Sequence, residues 1–322
     1  MTSQASKPVL AVIGSLNIDL VTYTPRIPDG GETMTASSFH VGLGGKGANQ
    51  AVACAKLSRS KSALDAGTAT VKMVGAVGDD AYGGMMTTGL RDFGVDVSGV
   101  ETRRGMKTGV AVILVEETTG ENRILLSPEA NHSLLPEHFR ELPSPLPDLI
   151  IMQLEIPLET VLQILDTAHK KGVPVLLNPA PAQKIPAEYY KSISHFVVNE
   201  TEALFMSDCD ESELETEAGL GKIAGVFKSK GAENVLITLG GKGVYYSGSD
   251  GRSGLVPAEK AKVVDTTAAG DTFVGTYALE AVTKAAGFDM EKAVRAANRA
   301  AARTVEKKGA QESIPWLDEL SP

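Results

Sequence analysis

Cysteine is almost absent from this chain. Cys54 and Cys209 are the only two among 322 residues, so no disulfide framework holds the fold and a reducing, cytoplasmic compartment is expected. Long apolar runs are missing as well. Nothing approaches the ~20 residues that span a bilayer, and the opening MTSQASKPVLAVIGSL has no basic leader, so neither a signal segment nor a membrane anchor is expected. Basic residues are in deficit, 31 against 40 acidic ones for a formal charge of -9, which argues against nucleic acid as a partner. The five histidines form no HExxH pair and no CxxC occurs, which removes the usual zinc sites. There is no G-x-S-x-G elbow for acyl transfer. A GxxxxGK[ST] phosphate loop is also missing, because Gly45-Lys46 is followed by Gly47.

What is present is alternation. Strand-like runs at 9–16, 71–78, 149–155, 173–179, 195–200, 234–240, 243–248 and 262–265 are interleaved with helical patterns at 47–57, 80–94, 158–172, 271–287 and 290–309. Such a rhythm means a mostly parallel sheet with helices on both faces. Two strand-rich segments, 31–42 and 108–128, break it, the second with a TTGEN turn signal. They read as a small β lid, or as a hairpin within the main sheet. Because GVAVILV is apolar on both faces, a lid would cover substrate with one face and meet a second subunit with the other. RSKSALDAGTAT (59–70) reads as a surface insertion and SDCDESELETEAG (207–219) as an exposed acidic helix or loop.

Three segments could carry chemistry. In VVDTTAAGDTFVG (263–275), a predicted strand turns into a helix through Ala268, Ala269 and Gly270, which have almost no side chains. Bare amides at a helix N-terminus favour an anion. Asp271 beside them is either an N-cap or a base facing an alcohol. In VVNETEA, Asn199 and Glu202 have the spacing of a capping box, or of a pair serving phosphate chemistry. TLGGKG (238–243) is a glycine turn between strands, able to admit a nucleotide or merely to close a hairpin. GLGGKG (42–47) matches a dinucleotide fingerprint, but it does not follow the first strand, so a Rossmann dehydrogenase is set aside.

In order, GSLNID, GGETM, GGKGANQA, LEIP, LNPAP, NETEA, TLGGKG, DTTAAGDTF and KGAQ together resemble the ribokinase-like family of carbohydrate kinases over nearly the whole chain. The resemblance implies a single three-layer α/β/α domain over 1–322, with a mostly parallel central sheet and a lid from roughly 31–44 and 106–130. It implies ATP-dependent phosphorylation of D-ribose at O5, or of another sugar or a nucleoside. Aromatic residues make up only 5%, which disfavours a stacked nucleobase. By the same resemblance Asp271 is the base and the 268–270 amides form the anion hole. Asn17, Asp19, Gly45, Lys46, Asn49 and Glu155 hold the sugar. Thr238, Leu239, Gly240, Gly241, Lys242, Gly243, Gly270 and Asn298 line the nucleotide site. Asn199 and Glu202 order Mg²⁺ and phosphates through water. Asp265, Thr267, Thr304, Lys307, Gly309 and Ser313 enclose an activating K⁺, several through backbone oxygens. A homodimer through the lid is expected.

Overall fold

A computed structural model describes residues 6–320; the ends of the expected 1–322 domain lie outside them. Its main sheet has nine strands. Seven run parallel in the spatial order β11 (Asn234–Thr238), β10 (His195–Asn199), β9 (Val175–Leu177), β8 (Leu149–Met152), β1 (Val9–Ile13), β4 (Thr70–Gly78) and β5 (Asp96–Arg103). Beyond β11, the antiparallel strands β12 (Val244–Ser247) and β13 (Ser253–Val256) finish one edge.

Alternating side chains build two cores. Leu10 and Val12 of β1 pack with α1 (Lys46–Leu57), α2 (Ala81–Asp92), α6 (Ala269–Thr283) and α7 (Met290–Thr304). Ala11 and Ile13 face the opposite layer, α3 (Leu158–Lys171), α4 (Glu200–Ser207) and α5 (Glu217–Ser229). Each fully buried Leu or Ile contributes about 1.5–3 kcal/mol of transfer free energy. The three-layer architecture is therefore as expected.

A second sheet holds β3 (Ser38–Gly44), β2 (Asn17–Thr24), β6 (Gly109–Glu116) and β7 (Asn122–Ser127) in that order. The 108–128 hairpin belongs here, not to the main sheet. Register puts Asp19, Val21, Ala111, Ile113, Ile124 and Leu126 on one face. Leu20 and Val41 on the other face pack against the body, so that face is not simply turned outward.

Other expectations need correction. Residues 262–265 form no strand: β13 has already taken the sheet edge, and the N–H groups of Val264 and Asp265 donate to Val305 O at the end of α7. The first strand stops at Ile13 rather than running to 16. Residues 31–37 are irregular, with pairing starting at Ser38. Two further segments are as expected: 207–219 is a largely exposed acidic loop with a short 3₁₀ turn, Glu211–Glu215, before α5. The 59–70 segment lies largely at the surface, anchored by buried Arg59, which donates to the carbonyls of Leu64, Ala69 and Gly94.

Candidate active site

In a parallel sheet all the carboxyl ends lie on one edge, where α/β proteins bind ligands. Here that edge carries Ser15 after β1, Gln153 and Glu155 after β8, Asn178 after β9 and Asn199 closing β10. The N-termini of α1 and α6 meet it.

At α6, Ala268 takes the N-cap position in the left-handed conformation (φ 59°) and supplies no capping side chain. Gly270 is open to solvent, and a Cβ there would meet nothing within 4 Å. Ala269 N–H makes a 3.3 Å turn bond to Thr266 O. Beyond it the helix start has no side-chain cap, as an anion site requires. Asp271 is not the cap. It sits in the first turn, 7% exposed, and both its oxygens receive amides: Oδ1 from Gln50 Nε2 (2.9 Å) and Oδ2 from Asn49 Nδ2 (3.0 Å). Those donors come from α1, so the carboxylate is held by tertiary contacts rather than by its own helix.

At α1, Gly45 is the N-cap with φ 87°, and a Cβ there would lie 2.6 Å from Asn17 N. Glu155 binds the helix start from across the sheet: its Oε2 accepts from Lys46 N–H (3.0 Å), Ser15 Oγ (2.5 Å) and Asn17 Nδ2 (3.3 Å). Asn17 is oriented in turn by Asn131, fully buried, whose side chain pairs with both backbone groups of Leu16 and donates to Asn17 Oδ1 (2.8 Å). Burial pushes the Asp19 carboxyl up to about 7, helped by the negative charges of Glu155, Asp271 and Glu312. Burial would lower Lys46, but Asp271, Glu155 and Glu202 around it outweigh that and hold it above the usual lysine range. A lysine kept charged therefore stands among three acids. Asn49 Oδ1 is buried with no hydrogen-bond partner, an acceptor suited to a sugar hydroxyl.

Next to the α6 N-terminus lies a cleft of about 450 Å³. It brings together Thr238, Gly240, Gly241, Gly243, Gly270 and Asn298, walled by Val244, Phe273, Ala301 and Val305. Asn298 spends its amide donor on Pro257 O (3.2 Å). Leu239 is buried instead of lining the cleft, and Lys242 points away to Glu215 (3.3 Å). Asn199 and Glu202 form a complete capping box on α4: Asn199 Oδ1 accepts from Glu202 N–H, and Glu202 Oε2 from Asn199 N–H. Burial raises the Glu202 carboxyl, although the Asn199 N–H and Lys46 oppose the rise.

Below the turn, Asp265 Oδ1 accepts from both N–H and hydroxyl of Thr267, and Oδ2 from Gly309 N–H (3.0 Å). Ser313 Oγ donates to Ala310 O. Thr304 turns its hydroxyl to Ala300 O and Thr272, and Lys307 reaches Glu319, so any role for those two would be through backbone oxygen. Among the described residues no cluster of three or more His, Cys, Asp or Glu side chains could hold a metal ion.

Ser15, Gln50, Asn131, Gln153 and Asn178 were not marked as site residues by the sequence. Gln50 and Asn178 lie inside quoted motifs, and Gln153 sits two residues before Glu155. Asn131 has no local signal beyond one amide in an otherwise unremarked turn.

The profile of the pfkB family of carbohydrate kinases matches residues 7–317. The ribokinase of Schizosaccharomyces pombe is 43% identical over 316 residues, covering 97% of this chain and 96% of that one. A deoxyribokinase of Salmonella typhi is 36% identical, with 97% of each chain covered. The structure of an Arabidopsis thaliana ribokinase complexed with ribose and ATP superposes with a TM-score of 0.83 at 30% identity, covering 98% of this chain and 97% of the other.

Proposed function

The chain belongs to the pfkB family of carbohydrate kinases, and on that premise we propose that it transfers the γ-phosphate of ATP to O5 of D-ribose, with Asp271 as the base. The observation that carries the residue roles is the position of Asp271. It lies at an uncapped helix start bordering the 450 Å³ cleft, and is hydrogen-bonded to the helix that also bears Lys46 and Asn49.

ATP occupies the cleft between Thr238–Gly243, Gly270 and Asn298. The sugar lies toward Asn17, Asp19, Lys46, Asn49 and Glu155, satisfying the unpartnered Asn49 oxygen. Asp271 orients the sugar hydroxyl and receives its proton as the oxygen–phosphorus bond forms and the bond to ADP breaks. A loose transition state needs little early proton removal, so positioning and charge stabilisation dominate. The helix start at 268–270, whose Ala269 N–H would have to leave its long turn bond to Thr266 O, and the Lys46 ammonium meet the developing charge.

Mg²⁺ comes with the nucleotide and neutralises phosphate charge. Among the described residues no cluster of three or more His, Cys, Asp or Glu side chains could ligate it directly, and Asn199 and Glu202 would reach it through water. Hard oxygen donors at Asp265, Thr267 and Ser313, with backbone oxygens of Thr304, Lys307 and Gly309, suit K⁺. The lid exposes Ile124 (57%) and Leu126 on the Asp19 face, and a second copy of the chain would cover them. We place the enzyme in the cytoplasm on its cysteine content. An ADP-release assay over ribose, deoxyribose, hexoses and nucleosides tests the reading: ribose should give the highest kcat/KM, and preference for a nucleoside would reject it.

A further inference from the structure

Gln50 is fully buried on α1 and every polar atom of its side chain is engaged. Its Nε2 donates to Asp271 Oδ1 (2.9 Å) and to Asn178 Oδ1 (3.1 Å), while its Oε1 accepts from Gln153 Nε2 (2.6 Å). We propose that Gln50 is a positioning residue for phosphoryl transfer: clamped by Gln153 and Asn178, it aims an amide N–H at Asp271 and sets the carboxylate rotamer that meets the sugar hydroxyl. This rests on Asp271 being the base.

The orientation of the Gln50 amide is fixed by its neighbours. Asn178 donates through Nδ2 to Val197 O (2.9 Å), which turns its oxygen toward Gln50. A flipped Gln50 amide would set its oxygen against two other oxygens, Asn178 Oδ1 and Asp271 Oδ1, and its nitrogen against the Gln153 nitrogen. Gln153 is held in a tight seat, because a Cβ on Gly14 would lie 2.0 Å from its Oε1. Thus the ends of β8 and β9 fix Gln50, and Gln50 fixes Asp271. Asn49 differs from its neighbour in this respect. Its own oxygen is unpartnered and remains available to the sugar, whereas Gln50 has nothing left to offer a substrate. Gln50 therefore acts only through Asp271.

Two variants test this, with rates normalised to the ribose-binding fraction measured by calorimetry. Gln50→Leu removes the donor and should lower kcat by about 10–100-fold with ribose KM within about threefold, since small misplacements cost about that much. Gln50→Glu keeps the shape. While the new carboxyl holds a proton its single O–H can still donate to Asp271, losing only the bond to Asn178, and on losing the proton the group repels Asp271. Its kcat relative to the parent should be highest near pH 6 and fall at least about tenfold by pH 8.5. A folding role alone would give a pH-independent ratio, and that result overturns the proposal, as does a kcat within about threefold of the parent in Gln50→Leu. Should Gln50→Leu fail to fold, Gln153→Met, one step removed, should show a smaller kcat loss at unchanged KM; a loss confined to KM overturns the proposal. An inactive Asp271→Asn beside near-normal Gln50 variants would reject this inference alone, whereas an active Asp271→Asn would reject the assigned base as well.

Discussion

Asp19 lies directly over Gly44: a Cβ on that glycine would sit 2.2 Å from Asp19 Oδ2. The two residues belong to adjacent strands of the lid sheet, so the absence of one side chain makes room for the other at the proposed sugar site. Gly44→Ala should displace the carboxylate and weaken ribose binding at least about tenfold while ATP affinity is kept, as titration of each ligand would show. Equal loss for both ligands would point to general disruption.

The Asp19 carboxyl, raised to about 7, gives a pH dependence with a definite sign. If the sugar is held at Asp19 as proposed, its hydroxyls donate to the ionised form and only that fraction would bind. Near pH 6 about a tenth is ionised, and ribose Kd should be roughly tenfold weaker there than at pH 8. Stability runs the other way. The folded protein holds this proton more tightly than the unfolded chain, so the group's contribution is full below about pH 4 and is lost progressively as pH rises to 7. Asp19→Asn should flatten the Kd profile and raise Tm, with a gain that grows from about pH 4 to pH 7, is clearly larger at pH 8 than at pH 5 and vanishes near pH 3. Calorimetry at the two pH values checks both.

Asp265 ties the α6 turn to the 309 loop through Thr267 and Gly309. With K⁺ held there, Asp265→Ala should remove most of the stimulation seen when K⁺ replaces a bulky organic cation, lowering the K⁺ rate about 10-fold or more. If the variant keeps full K⁺ activation, the cation site lies elsewhere.

The proposed dimer would cover Ile124 and Leu126 on the Asp19 face of the lid, whose other face also exposes Phe39 and Leu125. Ile124→Glu should convert a dimer into a monomer in sedimentation velocity, since a buried unpaired carboxylate costs several kcal/mol. A parent protein that sediments as an active monomer would reject the dimer.

Strong periodicity made most of the layered body legible: α1, α3 and β4 lie within a residue or two of their expected bounds. β2 and β5 were hidden because Asn17–Thr24 and Asp96–Arg103 mix polar residues into half-exposed strands, and α5 because its glycines mask the helical stripe. Val263 and Val264 read as strand because β-branched residues favour one, yet they are 64% and 46% exposed on a chain that reaches no sheet edge. Motif residues at Asn17, Lys46, Asn49, Glu155 and Asp271 did converge. The contacts behind them did not show, since Gln50, Asn131 and Gln153 matter only through which distant partner each amide faces. Linear spacing holds no such information.

The most direct measurement is the pre-steady-state rate of ADP formation by Asp271→Asn, with ribose affinity taken on the same sample. Asparagine keeps the shape but gives up charge and basicity. A fall of at least about 10³-fold in that rate, with ribose Kd within about threefold, is expected if this carboxylate serves the transferring phosphate. Turnover within about tenfold of the parent would contradict it and leave Asp271 only a structural link between α1 and α6.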